Sequence, residues 1–120
     1  MSVREEFLLK KENMPVDSFE WGCLEWFARE SLNGMEITLG LCNILPGMEN
    51  PLHYHPNCDE VLYVIAGSII HQLDGESIVM NAGDSLLIQK GKKHNAHNTG
   101  TAPAVCSIAF TTGKRETVHV

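Results

Sequence analysis

Short apolar runs recur along the whole chain, and Gly, Pro, Asn and Asp separate them. No stretch keeps the 3.6-residue period of an amphipathic helix for long enough to predict a central helix. The pattern instead predicts short β-strands, which we place over residues 36–45, 61–65, 85–88, 94–98 and 104–112. Many short strands at regular spacing favour an all-β fold, as a sandwich or a closed barrel, over an open α/β sheet.

A hairpin is predicted in the middle of this pattern. Residues 69–73 and 76–80 flank Asp74-Gly75, and Gly permits the positive φ that a tight hairpin turn needs. The strand at 61–65 is apolar at every position, so we expect both of its faces to be buried.

The first third of the chain has a mixed pattern. Trp21 and Trp26 give it a large apolar area, which we expect to pack on the core or on a partner subunit. With 120 residues, the chain suits one compact domain. We therefore assign one domain over 1–120, with N-terminal strands or an arm over 1–35 and a barrel over 36–112.

Composition narrows the classes of function. The net charge of −6 provides no basic surface, so we expect neither nucleic acid nor a membrane as a partner. The first residues lack the apolar core of a signal peptide, and the four cysteines form no Cys-x-x-Cys pair. We expect a cytoplasmic protein with reduced thiols.

Candidate metal ligands stand in the middle of the chain. In a strand His53 and His55 share one face, about 7 Å apart, and could converge on one ion. Glu60 follows after a short turn, and His94 opens a later strand. Three imidazoles and a carboxylate suit one divalent transition metal: Fe, Mn, Ni, Cu or Zn. Asp59 and Cys58 lie beside Glu60 and compete with it for the role of fourth ligand.

Two motifs carry a resemblance to a known family. The stretch Gly47-x5-His53-x-His55-x4-Glu60-x6-Gly67 resembles the first signature of the cupin superfamily. The stretch Gly83-x5-Gln89-x-Gly91-x2-His94-x3-Asn98 resembles the second, with Gln89 where that motif usually has Pro. The resemblance implies a double-stranded β-helix, or jelly-roll barrel, often paired as a homodimer. It also implies that His53, His55, Glu60 and His94 are the metal ligands.

Strand parity suggests the walls of a pocket. If Glu60 and His94 point inward, Leu62, Val64, Ala96 and Asn98 do so too, and Gln72 follows if the parity survives Gly67. We expect the remaining histidines to be structural or exposed: His71, His97 and His119. The inferred pocket is mostly apolar, with no inward cluster of Arg or Lys.

Three functions remain open. The first is a metal-dependent oxidoreductase of the dioxygenase type acting on a small molecule, with Glu60 as a base. The second is a non-redox isomerase, lyase or decarboxylase acting on a sugar or keto acid, in which the metal is a Lewis acid. The third is a binding module for a metal or ligand, without catalysis.

Overall fold

Two antiparallel sheets make up most of the regular secondary structure of the protein. The computed structural model describes residues 3–120, in which the helices are only α1 (Val3–Glu6), the 3₁₀ turn Lys11–Asn13 and α2 (Glu30–Asn33). The strands are β1 (Val16–Phe19), β2 (Gly22–Ala28), β3 (Thr38–Ile44), β4 (His53–Tyr54), β5 (Glu60–Ala66), β6 (Ser68–Leu73), β7 (Glu76–Asn81), β8 (Ser85–Ile88), β9 (His94–His97), β10 (Ala104–Phe110) and β11 (Val118–His119).

The strand order is that of a jelly roll. One sheet runs β1-β2-β3-β10-β5-β8 and the other β11-β4-β9-β6-β7. Sequence-distant strands lie side by side, since β10 pairs with both β3 and β5. The inner faces share one apolar core, which contains Ile44 and Val64 of the first sheet and Ile69 of the second. The expected double-stranded β-helix is therefore confirmed.

The predicted hairpin is β6–β7. Its register pairs Leu73 with Glu76, so Asp74 and Gly75 form a two-residue turn. Both have positive φ, 51° and 85°, as a hairpin turn matched to the twist of its strands requires.

The expectation that residues 61–65 are buried on both faces is wrong for this chain. Leu62 and Val64 are buried, but Val61, Tyr63 and Ile65 on the other face are 46%, 43% and 47% exposed. The pleat sends alternate side chains to opposite faces, and no element of the described chain covers this one. The outer face of β5 is an uncovered apolar surface.

A bulge lies near the end of β5. Along β10, Cys106 pairs with Val64 and Val105 with Ala66, which leaves Ile65 as an extra residue. Such an insertion reverses the inward and outward alternation beyond it. The chain then turns at Gly67, whose φ of +79° disfavours other residues, and enters the second sheet as β6.

The N-terminal strands pack on the barrel. The pairing of β2 with β3 extends the first sheet, and Trp26 is 1% exposed in the core. The Nε1–H of Trp26 donates to Oδ2 of Asp17 at 2.9 Å. All four cysteines are free. Within residues 3–120, we find no helix of the length and apolarity needed to cross a membrane.

Candidate metal centre

Three histidines meet inside the barrel. His53 in β4 pairs directly with His94 in β9, and His55 follows β4 by one residue. Their ring centroids are 4.2 to 5.2 Å apart. One nitrogen from each ring can be chosen so that all three lie within 4.8 Å of one another. The backbone therefore brings together the three histidines that the sequence singled out.

The backbone also fixes the proton on each ring. In all three histidines Nδ1 faces a main-chain carbonyl oxygen, which can only accept a hydrogen bond. Nδ1 therefore carries the hydrogen, and a neutral ring keeps its lone pair on Nε2. The acceptors for His53, His55 and His94 are the oxygens of Pro51, Glu116 and Lys92, at 2.7, 2.9 and 3.0 Å.

Glu60 lies beside the three histidines, on the side of His55 and His94. It is 4% exposed, and its Oε1 lies 3.1 Å from Nε2 of His94 and 3.3 Å from Nε2 of His55. Burial alone would raise the pKa of Glu60, but its close contacts with the rings of His55 and His94 outweigh burial and lower this pKa to about 2. The carboxylate is ionised at neutral pH.

This donor set fits a divalent metal. Nε2 of His55 is buried and makes no hydrogen bond in the described chain. The lone pair of a neutral imidazole repels an ionised oxygen at 3.1 to 3.3 Å, so this arrangement calls for a proton or a metal cation between the two atoms. Imidazole nitrogens with one carboxylate oxygen are ligands for first-row transition metals.

The two rivals of Glu60 point elsewhere. Oδ1 of Asp59 accepts the backbone N–H of Lys90 at 2.8 Å, which ties the carboxylate to a loop. Cys58 is 3% exposed and belongs to the apolar core cluster. Burial, followed by the charge of Glu60, raises the pKa of the Cys58 thiol, so it stays protonated. The geometry therefore favours Glu60 as the carboxylate of the site.

The surroundings shift the pKa values of His53 and His94 in opposite directions. Burial, reinforced by His94, lowers the pKa of His53 to about 4. Burial also opposes a charge on His94, but its contact with Glu60 dominates and raises its pKa. Without a metal, a proton bound at His94 is therefore stabilised beside the carboxylate.

The cluster opens into a cavity of about 230 Å³. Two of the expected wall residues, Leu62 and Ala96, line it. Val64 lies instead in the core, and Asn98 is buried with its amide bonded to backbone oxygens of Ile44 and Ala102. Neither lines the cavity.

The prediction that Gln72 lines the cavity is wrong, for a clear structural reason. Its side chain bonds Oγ of Ser77 on the neighbouring strand, away from the cavity, and His71 lines the wall instead. The bulge at Ile65 and the turn at Gly67 shift the alternation by one residue, which parity counted from Glu60 could not show.

Three further wall residues come from the last ten positions: Arg115, Thr117 and His119. The Arg115 guanidinium stacks on Phe110 at 5.1 Å, and the described chain has no carboxylate within 4 Å of it. His119 lies 6.2 Å from His53, ring to ring. Among the described residues no cluster of Arg and Lys lines the cavity, but Arg115 provides one cation there. A strand of two residues carries too little pattern to have predicted β11.

The loop with Gln89 closes without a proline. Lys92 donates to the carbonyl of Gln89 at 3.1 Å, and Gly91 donates to that of His55 at 2.9 Å. The departure from the motif therefore leaves a closed turn next to the histidine cluster.

The sequence was compared with known families. The Cupin domain family matches residues 40–110, more than half of the chain and all four residues of the cluster. The chain belongs to the cupin family. The family membership that its two motifs predicted is confirmed.

Relatives of this cupin come from bacteria and plants. It is 35% identical over 66 residues to the tetracenomycin polyketide synthase protein TcmJ of Streptomyces glaucescens. That match covers 55% of this chain and 44% of the relative. It is 33% identical over 88 residues to germin-like protein subfamily 3 member 3 of Arabidopsis thaliana. That match covers 69% of this chain and 42% of the relative. The chain thus spans less than half the length of these relatives.

Solved structures share the fold of this cupin. The oxalate decarboxylase of Lactobacillus farciminis, in complex with formate, superimposes with a TM-score of 0.84 over 91% of this chain and 34% of its own, at 21% identity. An oxalate oxidase complex with the substrate analogue glycolate gives a TM-score of 0.73 at 23% identity, over 81% of this chain and 54% of its own. At these identities the likeness establishes the fold alone.

Proposed function

We propose that this cupin is a metal-dependent oxidoreductase of the dioxygenase type that acts on a small organic molecule. The proposed ligands are His53, His55, Glu60 and His94. One observation carries the proposal: the rings are held by backbone carbonyls so that their Nε2 atoms gather beside a buried, ionised carboxylate.

Four protein ligands leave open positions on metals that prefer five or six. The chemistry supplied there would be electron exchange between a coordinated substrate and O₂. For an enediol, cleavage of the carbon–carbon double bond with both atoms of O₂ incorporated gives two carboxylic acids and balances without another reactant.

The protein residues have separate tasks in this proposal. The carbonyls of Pro51, Glu116 and Lys92 orient the imidazoles, and the mostly apolar walls limit the water around the reacting groups. Glu60 touches two of the rings and is the carboxylate placed to take a proton from a substrate hydroxyl. Enediols and flavonols are suitable test substrates, and the kinship to a polyketide synthase protein favours oxygen-rich, enolisable molecules.

The test is oxygen consumption by protein loaded with one metal at a time. Metal-free protein is loaded under argon with Fe(II), Mn(II), Ni(II) or Cu(II), mixed with an enediol or a flavonol, and then exposed to O₂. We expect substrate-dependent O₂ uptake that His94→Ala abolishes and His97→Ala retains, since His97 does not line the cavity. No uptake with any of these metals would contradict the redox assignment.

A non-redox isomerase, lyase or decarboxylase is the second candidate. His71 favours it, because an unpartnered imidazole beside the cluster is a group that transfers protons. Turnover of a sugar or keto acid by the Zn(II)-loaded protein under argon would support this candidate over the first.

We also propose that the protein forms a homodimer through the outer face of β5. Val61, Tyr63 and Ile65 are exposed there, and Leu87 on β8 adjoins Val61. Light scattering after gel filtration tests this: Tyr63→Glu should yield a monomer. Val79→Glu, at a position 69% exposed on the other sheet, should leave the dimer intact. A wild-type monomer at high concentration would contradict the proposal.

A further inference from the structure

His71 has no role in the metal site, yet it lies beside it. The residue is 0% exposed on β6, lines the cavity and stacks on His94, with ring centroids 5.6 Å apart and planes 14° from parallel. Neither Nδ1 nor Nε2 of His71 has a hydrogen-bond partner in the described part of the chain. A fully buried imidazole thus keeps both a donor and an acceptor unused.

The neighbouring strands offer His71 nothing polar. Its register partners are Ala96 on β9 and Ile78 on β7, both with apolar side chains. A buried polar group without a partner costs about 1–3 kcal/mol, a cost that a phenylalanine of similar shape would avoid. His71 lines the cavity, so a molecule bound there is placed to supply the missing partner.

We propose that His71 is a substrate-binding residue that hydrogen-bonds a second oxygen of a molecule whose first oxygen binds the metal. The inference rests on the proposed metal site and names the substrate class: small molecules with oxygens on adjacent carbons, such as α-hydroxy acids, α-keto acids and enediols. The closeness of His71 to a proposed ligand supports the class: its ring centroid lies 5.6 Å from that of His94, so a molecule that contacts both the site and His71 needs its two oxygens close together.

Two probes that differ by one oxygen test this. Glycolate and acetate both present a carboxylate, but only glycolate has a hydroxyl on the neighbouring carbon. The protein is loaded with Co(II), and each anion is titrated while the visible absorption of the metal is recorded. The readout is the ratio of the two dissociation constants, which cancels the carboxylate contribution shared by the probes.

The matched variant is His71→Phe, which keeps a ring against His94 and removes the hydrogen bond. We expect the preference for glycolate to fall about tenfold, the size of one neutral hydrogen bond. His71→Gln, which retains a donor, should recover part of it. His71→Phe should also be at least as stable as wild type in urea, since it removes an unpaired buried group.

The outcomes separate the two proposals. If the wild type binds no metal, the metal site and the inference both fail. If it binds Co(II) but the glycolate preference is equal in wild type and His71→Phe, only the inference fails, and His71 bonds an ordered water. If His71→Phe does not fold, ¹⁵N spectra of the Zn(II)-loaded wild type decide: glycolate must shift the His71 ring nitrogens and acetate must not.

Discussion

Replacing Asn98 by alanine should mainly lower stability, whereas replacing Asn57 by alanine should mainly weaken metal binding. Asn98 is 1% exposed, and its amide makes three hydrogen bonds of 2.9 Å. Its Nδ2 donates to the carbonyls of Ile44 and Ala102, and its Oδ1 accepts from the N–H of Gly100. At about 1 kcal/mol for each bond, Asn98→Ala should reduce the free energy of unfolding by about 3 kcal/mol.

In a chain of this length, 1 kcal/mol corresponds to about 4 °C in Tm, so the expected decrease for Asn98→Ala is about 12 °C. Metal affinity should stay within a factor of about two, because Asn98 does not line the cavity. Urea unfolding gives the stability, and competition with a chromophoric chelator gives the affinity.

Asn57 is the exposed asparagine that we compare with the buried Asn98. Its side chain bonds the carbonyl of Lys114 and the N–H of Glu116, whose own carbonyl orients His55. Because these bonds are exposed, Asn57→Ala should cost about 1 kcal/mol of stability. It should weaken metal binding about tenfold, as is usual when support for a ligand is lost. The reasoning is refuted if Asn98→Ala loses metal affinity while its stability changes by less than about 1 kcal/mol.

Three further outcomes follow from the geometry. His94→Ala should lower metal affinity at least about 100-fold, as measured by calorimetry, whereas His97→Ala should leave it unchanged. A metal at 100 times its dissociation constant should stabilise the wild type by about 2.7 kcal/mol, or about 10 °C, in a thermal melt; a melt that the metal leaves unmoved would contradict the site. Gly40→Ala should destabilise by about 3 kcal/mol in urea, since its Cβ would lie 2.5 Å from the carbonyl oxygen of Glu25; a variant of wild-type stability would contradict this packing.

Local sequence patterns were sufficient to predict most strands of the barrel. Alternating apolar residues and the Asp74-Gly75 turn depend on nearest neighbours, so strands such as β5, β6 and β7 lie where the sequence places them. The grouping of His53, His55 and His94 was also expected, since parity and motif spacing both pointed to it.

The cavity walls could not be predicted in the same way. Counting from Glu60 gave Leu62 correctly but chose Gln72 over His71, because the bulge at Ile65 becomes visible only once β5 is paired with β10. Arg115 reaches the cavity from the loop after β10, where no strand alternation exists to be counted. Long-range pairing, and not local preference, decides both positions.

The Glu116 carbonyl that holds the His55 ring lies 61 residues further along the chain. A ribosome adds about 5–20 residues per second, so this part of the site stays incomplete for several seconds after His55 has been made. An ion captured earlier would meet an imidazole free to turn. We therefore expect the proposed metal site to reach its full affinity only after the segment around Glu116 has been made.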